Sequence, residues 1–176
     1  MAMTKKMFQS CIRLVTNCTA KESKGTGAFY DKEENDTLCI IGKYGGCKFT
    51  NLSKDEEQKI LDICSSPEAG SFSFVKMFQP LFNKEDYPDD WIEIINIDDM
   101  QKLVTAAKKT DDWKKYASRK VMLQRNFNSC YDRRLFLEVA KCIDSKQITV
   151  HFPSKRNKPI ILIGKHGMGL LLPTMF

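Results

Sequence analysis

The chain has no apolar run approaching the ~20 residues that a helix needs to cross a bilayer. Its basic start, Met1 to Lys6, is not followed by the hydrophobic core of a signal peptide. Both absences point to a soluble, cytoplasmic protein. Histidines are scarce, with only His151 and His166, and no C-x-x-C pair occurs among the seven cysteines Cys11, Cys18, Cys39, Cys47, Cys64, Cys130 and Cys142. A disulfide framework or a zinc site needs paired spacing. An odd, scattered set is the pattern of reduced, mostly buried thiols, and no metal or cofactor is expected. The glycines around Lys24 and Gly42 lack the G-x-x-x-x-G-K-[ST] order that wraps a phosphate.

Catalytic constellations are missing too. Cys130 with His151 or His166 has the chemistry of a nucleophile and base, but no glycine-rich elbow accompanies it. A buried cysteine and surface histidines are the simpler reading. The pairs Asp89, Asp90 and Asp98, Asp99 more often cap turns and helices than hold magnesium. No enzymatic activity is expected.

What is present is an ordinary globular composition: 176 residues, 42% hydrophobic and 28% charged, with a net charge of +6. The pI is about 8.9 and the mean hydropathy −0.38. That length supports one expanded domain, and the positive excess favours a polyanionic partner such as nucleic acid.

Periodicity predicts an amphipathic helix over residues 4–16, with Met7, Phe8, Cys11, Leu14 and Val15 on one face. Two apolar runs, Gly27 to Tyr30 and Thr37 to Ile41, flank the polar stretch Glu33 to Asp36 and predict a β-hairpin. Gly45 and Gly46 close the second run as a turn. Ser53 and Glu56 have capping-box spacing ahead of a second helix. Ser71 to Val75 has strand character inside an irregular stretch. A strand from Trp91 to Ile95 leads to a helix capped by Asn96 or Asp98, with Met100, Leu103, Val104 and Ala107 on its inner face.

Residues 108–120 interleave Lys and Arg with Trp113 and Tyr116, a pattern that suits nucleic acid but is diluted by Asp111 and Asp112. Ser129 and Asp132 are spaced to cap a helix carrying Tyr131, Leu135, Val139, Cys142 and Ile143. Three strands follow, Ile148 to Phe152, Pro159 to Ile163 and Gly169 to Pro173. The fold class is therefore α+β, helices packed on an antiparallel sheet. Helix then strands occurs at both ends, which suggests half-repeats over residues 1–52 and 126–176 around an insertion or connection over 53–125.

The tail resembles the closing half-domain of the bacterial DNA polymerase III beta subunit, the ring-shaped sliding clamp. Phe127 and Asn128 followed by Tyr131 and Leu135 are similar to the family's F-N and Y-L opening of an inner helix, and Lys158, Pro159 and Ile160 to Ile163 to its K-P-V-x-I strand. The ending Leu170, Leu171, Leu172, Pro173, Thr174, Met175, Phe176 is similar to V-M-P-M-R-L, with Thr174 and Met175 replacing the methionine and arginine. A looser echo joins Gly27 to Asp31 and Thr37 to Gly45, where Tyr44 stands nearest the family's aspartate.

The resemblance implies a clamp-like domain with DNA-facing helices and outward sheets that pair edge to edge between domains. It implies non-specific contact of double-stranded DNA phosphates by Lys5, Lys6 and Arg13 on the first helix and Arg133, Arg134 and Lys141 on the last. It also implies an apolar pocket built from Leu170, Leu171, Leu172, Pro173, Met175 and Phe176 for short peptides of a DNA polymerase or other replication proteins. The expected role is processivity or tethering. The alternative is an interaction adaptor or regulator with no DNA role. One domain cannot close a ring, so self-association into an oligomer is part of the expectation.

Overall fold

The computed structural model describes residues 2–16, 26–32, 35–64, 84–107, 120–121, 131–144 and 146–173. The first helix, α1 (Lys5–Thr16), buries Met7, Phe8, Cys11 and Leu14, the spacing read from the sequence. The hairpin follows as β1 (Gly27–Asp31) and β2 (Thr37–Ile41). Asn35 and Asp36 both adopt φ of 54° at its turn. Asn and Asp tolerate that left-handed region, and consecutive positive φ values suit the twist of a tight hairpin.

The glycine pair does not make a turn. Gly45 and Gly46 open β3 (Gly45–Phe49), the turn lying just before them. In α2 (Lys54–Cys64), the backbone N–H of Ser53 donates to Glu56 Oε2 at 2.9 Å and that of Glu56 to Ser53 Oγ at 3.4 Å, the reciprocal cap predicted. Trp91 belongs to a short 3-10 turn, and β4 (Ile92–Asn96) begins after it. Asn96 Oδ1 accepts from the backbone N–H groups of Asp98 and Asp99 and starts α3 (Ile97–Ala107). Met100 and Val104 are buried there, but Leu103 is 52% exposed, so the inner stripe of this helix is narrower than its sequence suggests.

A two-residue pair, β5 (Lys120–Val121) and β6 (Tyr131–Asp132), precedes α4 (Arg133–Ile143). Here Asp132, rather than Ser129, is the cap, accepting from the N–H groups of Arg134 and Leu135. Ser129 lies outside the described residues, as do the strand read at 71–75 and the basic segment 108–119. Tyr131 sits ahead of the helix, buried, and donates its hydroxyl to Lys158 O at 2.7 Å. Replacing Asp132 with Ala is expected to cost about 1 kcal/mol of stability, measurable by urea unfolding.

The chain ends in β7 (Gln147–His151), β8 (Ile160–Gly164) and β9 (Gly167–Leu171). One seven-stranded sheet results, entirely antiparallel, in the order β1-β2-β3-β9-β8-β7-β4. Helix then three strands in meander occurs twice, and β3 and β9 join the two meanders. Side chains alternate along each strand. Leu38, Ile40, Cys47, Ile160, Leu162 and Leu171 share the main core with the helices, while Phe29, Cys39, Ile41 and Leu170 form a second cluster on the other face. Phe136 and Val139 on α4 are fully buried in the main core.

Cys11, Cys39, Cys47, Cys64 and Cys142 are all buried thiols outside any disulfide. Burial pushes the Cys64 thiol up to about 12, so it stays protonated and unreactive at neutral pH.

Candidate nucleic-acid interface

Once apolar spacing commits one face of α1 to the core, its cations must point away from it, and Lys5, Lys6 and Arg13 are all exposed. On α4 the buried set Phe136, Leu137, Val139, Ala140, Cys142 and Ile143 leaves Arg133, Arg134 and Lys141 half-buried at the margin of the core. The two helices pack directly on each other, and α3 packs on α4 beside them.

Three of the six cations meet. Arg13, Arg134 and Lys141 line a groove of about 160 Å3 together with Ser10, Gln101, Val104, Leu137 and Glu138. Lys141 Nζ donates to Gln101 Oε1 at 2.5 Å. Burial holds the Lys141 ammonium below its usual range, and Arg13 and then Lys6 depress it further, against the opposing pull of Asp98 and Glu138. Arg134 is 3.5 Å from Asp132 Oδ2. Lys5, Lys6 and Arg133 fall outside the groove. Arg133 is partly desolvated, which lowers its pKa, and its Nε is buried without a hydrogen-bond partner among the described residues. Gln101 and Ser10 were not singled out in the sequence, because nothing in a helix of the middle segment signals that it will lie against the first and last helices.

The tail is less open than its sequence suggests. Leu170 and Leu171 are fully buried, on opposite faces of the sheet. Leu172, half-buried, packs on the second cluster and donates its N–H to Tyr44 O at 2.8 Å. Pro173 is half-buried. Met175 and Phe176 lie outside the described residues. His166 is 5% exposed rather than at the surface, its Nδ1 3.2 Å from Asn51 O. Among the described residues no three His, Cys, Asp or Glu side chains are grouped to hold a metal ion, and no helix is long and apolar enough to cross a membrane.

Solved structures share this fold. The Helicobacter pylori beta clamp bound to a DNA ligase peptide superposes with a TM-score of 0.59 at 8% identity, covering 97% of this chain and 62% of that one. The DNA polymerase III beta subunit of Thermotoga maritima gives 0.58 at 10% identity, over 97% and 64%. That of Borrelia burgdorferi gives 0.50 at 11%, over 97% and 61%. The fold is that of a DNA clamp domain. No family model matches the chain, nor does any curated protein sequence. The chain spans less than two thirds of the length of these clamp structures.

In this clamp-like fold the segment before β4 is fastened to the β7–β8 turn. Asp86, 1% exposed, lies 2.6 Å from Lys155 Nζ and 3.1 Å from Lys158 Nζ. Its backbone carbonyl accepts from Ser154 N–H at 2.7 Å, and Tyr87 donates its hydroxyl to Pro159 O at 2.8 Å. The hydrogen bond from Lys155, joined by that from Lys158, holds the Asp86 carboxyl below its ordinary value against the opposing effect of burial. A depressed carboxylate stabilises the fold above its unfolded pKa of about 4 and loses that contribution as pH falls through its lower folded value. Asp86→Asn is therefore expected to lower stability at neutral pH and to flatten the acid limb below about pH 4, as followed by circular dichroism.

Proposed function

We propose that this chain is a sliding-clamp-like factor that associates non-specifically with double-stranded DNA and tethers replication proteins to it. The observation that carries the reading is the convergence of α1 and α4. Lys5, Lys6, Arg13, Arg133, Arg134 and Lys141 lie on two helices packed together on one side of the sheet, within a fold shared with DNA clamps. Cations on solvated helix faces hold phosphates without reading bases, the property a sliding contact needs.

Peptide capture is the second half of the proposal. The Helicobacter pylori clamp is bound to a DNA ligase peptide. Here the apolar surface around Leu172 and Pro173, continued by Ile161 and Met168, would play that part, with Met175 and Phe176 completing it. Leu170 and Leu171 would act beneath such a site, as support for it. The same apolar patch is what favours the second reading, an adaptor that binds peptides and leaves DNA alone.

Self-association accompanies the clamp reading. β1 and β4 end the sheet, and sheet edges invite pairing with another copy. Light scattering after size-exclusion chromatography, with and without a short duplex, tests the proposal. A discrete ring-sized oligomer or a stable duplex complex supports it. A strict monomer indifferent to DNA would leave the adaptor.

A further inference from the structure

We propose that the groove between α1, α3 and α4 seats a single tetrahedral phosphate group, gripped by Arg13, Arg134 and Lys141, and that on DNA this group is one backbone phosphate. This deepens the reading of the helical face as the DNA contact, on which it rests: the face would hold a discrete seat and not only a diffuse positive surface.

Size and donor geometry support it. The groove has a volume of about 160 Å3, which leaves room for a phosphate. Arginine presents five N–H donors in a planar fork that fits phosphate oxygens two at a time. Among the described residues Arg13 forms no ion pair with a carboxylate. Lysine carries three N–H donors, and Lys141 commits one of them to neutral Gln101. Two remain. Ser10 is already used, its hydroxyl donating to Lys6 O at 3.1 Å.

The electrostatics agree. Lys141 is held among like charges, since Arg13 and Lys6 outweigh Asp98 and Glu138 in their effect on it. A partly desolvated cation beside other cations, its one hydrogen bond among the described residues going to an amide, is an arrangement that an anion relieves. With Glu138 in the wall and Asp132 3.5 Å from Arg134, the groove sets three cations against two carboxylates. That balance suits a singly charged phosphodiester better than a free dianion. α3 is integral to the seat, because Gln101 positions the lysine, and this gives the middle segment a role that its sequence does not announce.

The test is a titration of the full chain with inorganic phosphate at constant ionic strength, chloride making up the balance, followed by side-chain NMR of Arg13 and Lys141. Saturable shifts in both, absent with chloride alone, are expected. Lys141→Gln should weaken binding by about tenfold or more, and Lys32→Gln on the first hairpin should not. Lys141→Arg should restore binding if charge and donors are what matter. Backbone shifts outside the groove establish that each variant is folded. If phosphate moves neither side chain, or moves Lys32→Gln and Lys141→Gln alike, the seat is wrong even where duplex binding persists. Duplex binding measured in parallel separates the two ideas: phosphate saturation without duplex affinity keeps the seat and removes the DNA reading.

Discussion

Valine in place of Gly167 is expected to remove about 4 kcal/mol, a large part of the roughly 5–15 kcal/mol that holds a domain of this kind together. Two costs combine. Gly167 has φ of 153°, a backbone conformation that a side chain resists. A Cβ there would also overlap the carbonyl oxygen of Lys48 and approach Phe49 Cα to 2.9 Å. Both are backbone atoms of β3, so nothing flexible can give way. The position matters because β3 and β9 form the seam between the two halves of the sheet, and Gly167 pairs with Phe49 across it. Gly169 is constrained by side chains alone, a Cβ there meeting Val139 Cγ1 at 2.5 Å and Ile143 Cδ1 at 3.3 Å. Thermal unfolding should place Gly167→Val roughly 10 °C or more below the parent, and Gly169→Ala between them.

Charge reversal on the helical face carries the largest functional effect. The double variant Arg13→Glu with Lys141→Glu is expected to lose at least about 100-fold in duplex affinity at low salt, and its log–log salt slope should fall by about 2. Arg13 is exposed and Lys141 half-buried at the margin of the core, so the fold should survive the change. Fluorescence anisotropy with a labelled duplex reads both quantities. Deleting Phe176 in the same assay should leave duplex binding unaltered while weakening capture of a short apolar peptide, because the tail and the helical face are separate sites in the proposal.

Much of the fold is legible in local chemistry. The capping box at Ser53 and Glu56, the apolar stripe of α1 and the Asn35–Asp36 hairpin turn are decided by neighbours in sequence. The misreadings share one cause, which is that a distant partner overrides a local signal. Gly45 and Gly46 look like a turn, but β9 approaches so closely that Gly45 has no room for a side chain and remains in a strand. Leu103 fits the helical period of α3, yet no element of the described structure covers it. His166 looks like a surface residue, yet it is buried beside Asn51, which reaches it across 115 positions of sequence. The cations of α1 and α4 could each be read as candidates. Their convergence could not, since Arg13 and Lys141 are neighbours only after the sheet has closed.

The measurement that bears most directly on the central claim is the salt dependence of binding to a short DNA duplex by the unmodified chain. Measurable affinity at low salt is expected, declining linearly on a log–log plot with a slope of about −4 to −5 if some five phosphates are held at roughly −0.9 each. Absence of duplex binding at low salt, or an affinity that does not change as salt rises, would contradict it and leave a clamp-fold protein that works through its apolar tail alone.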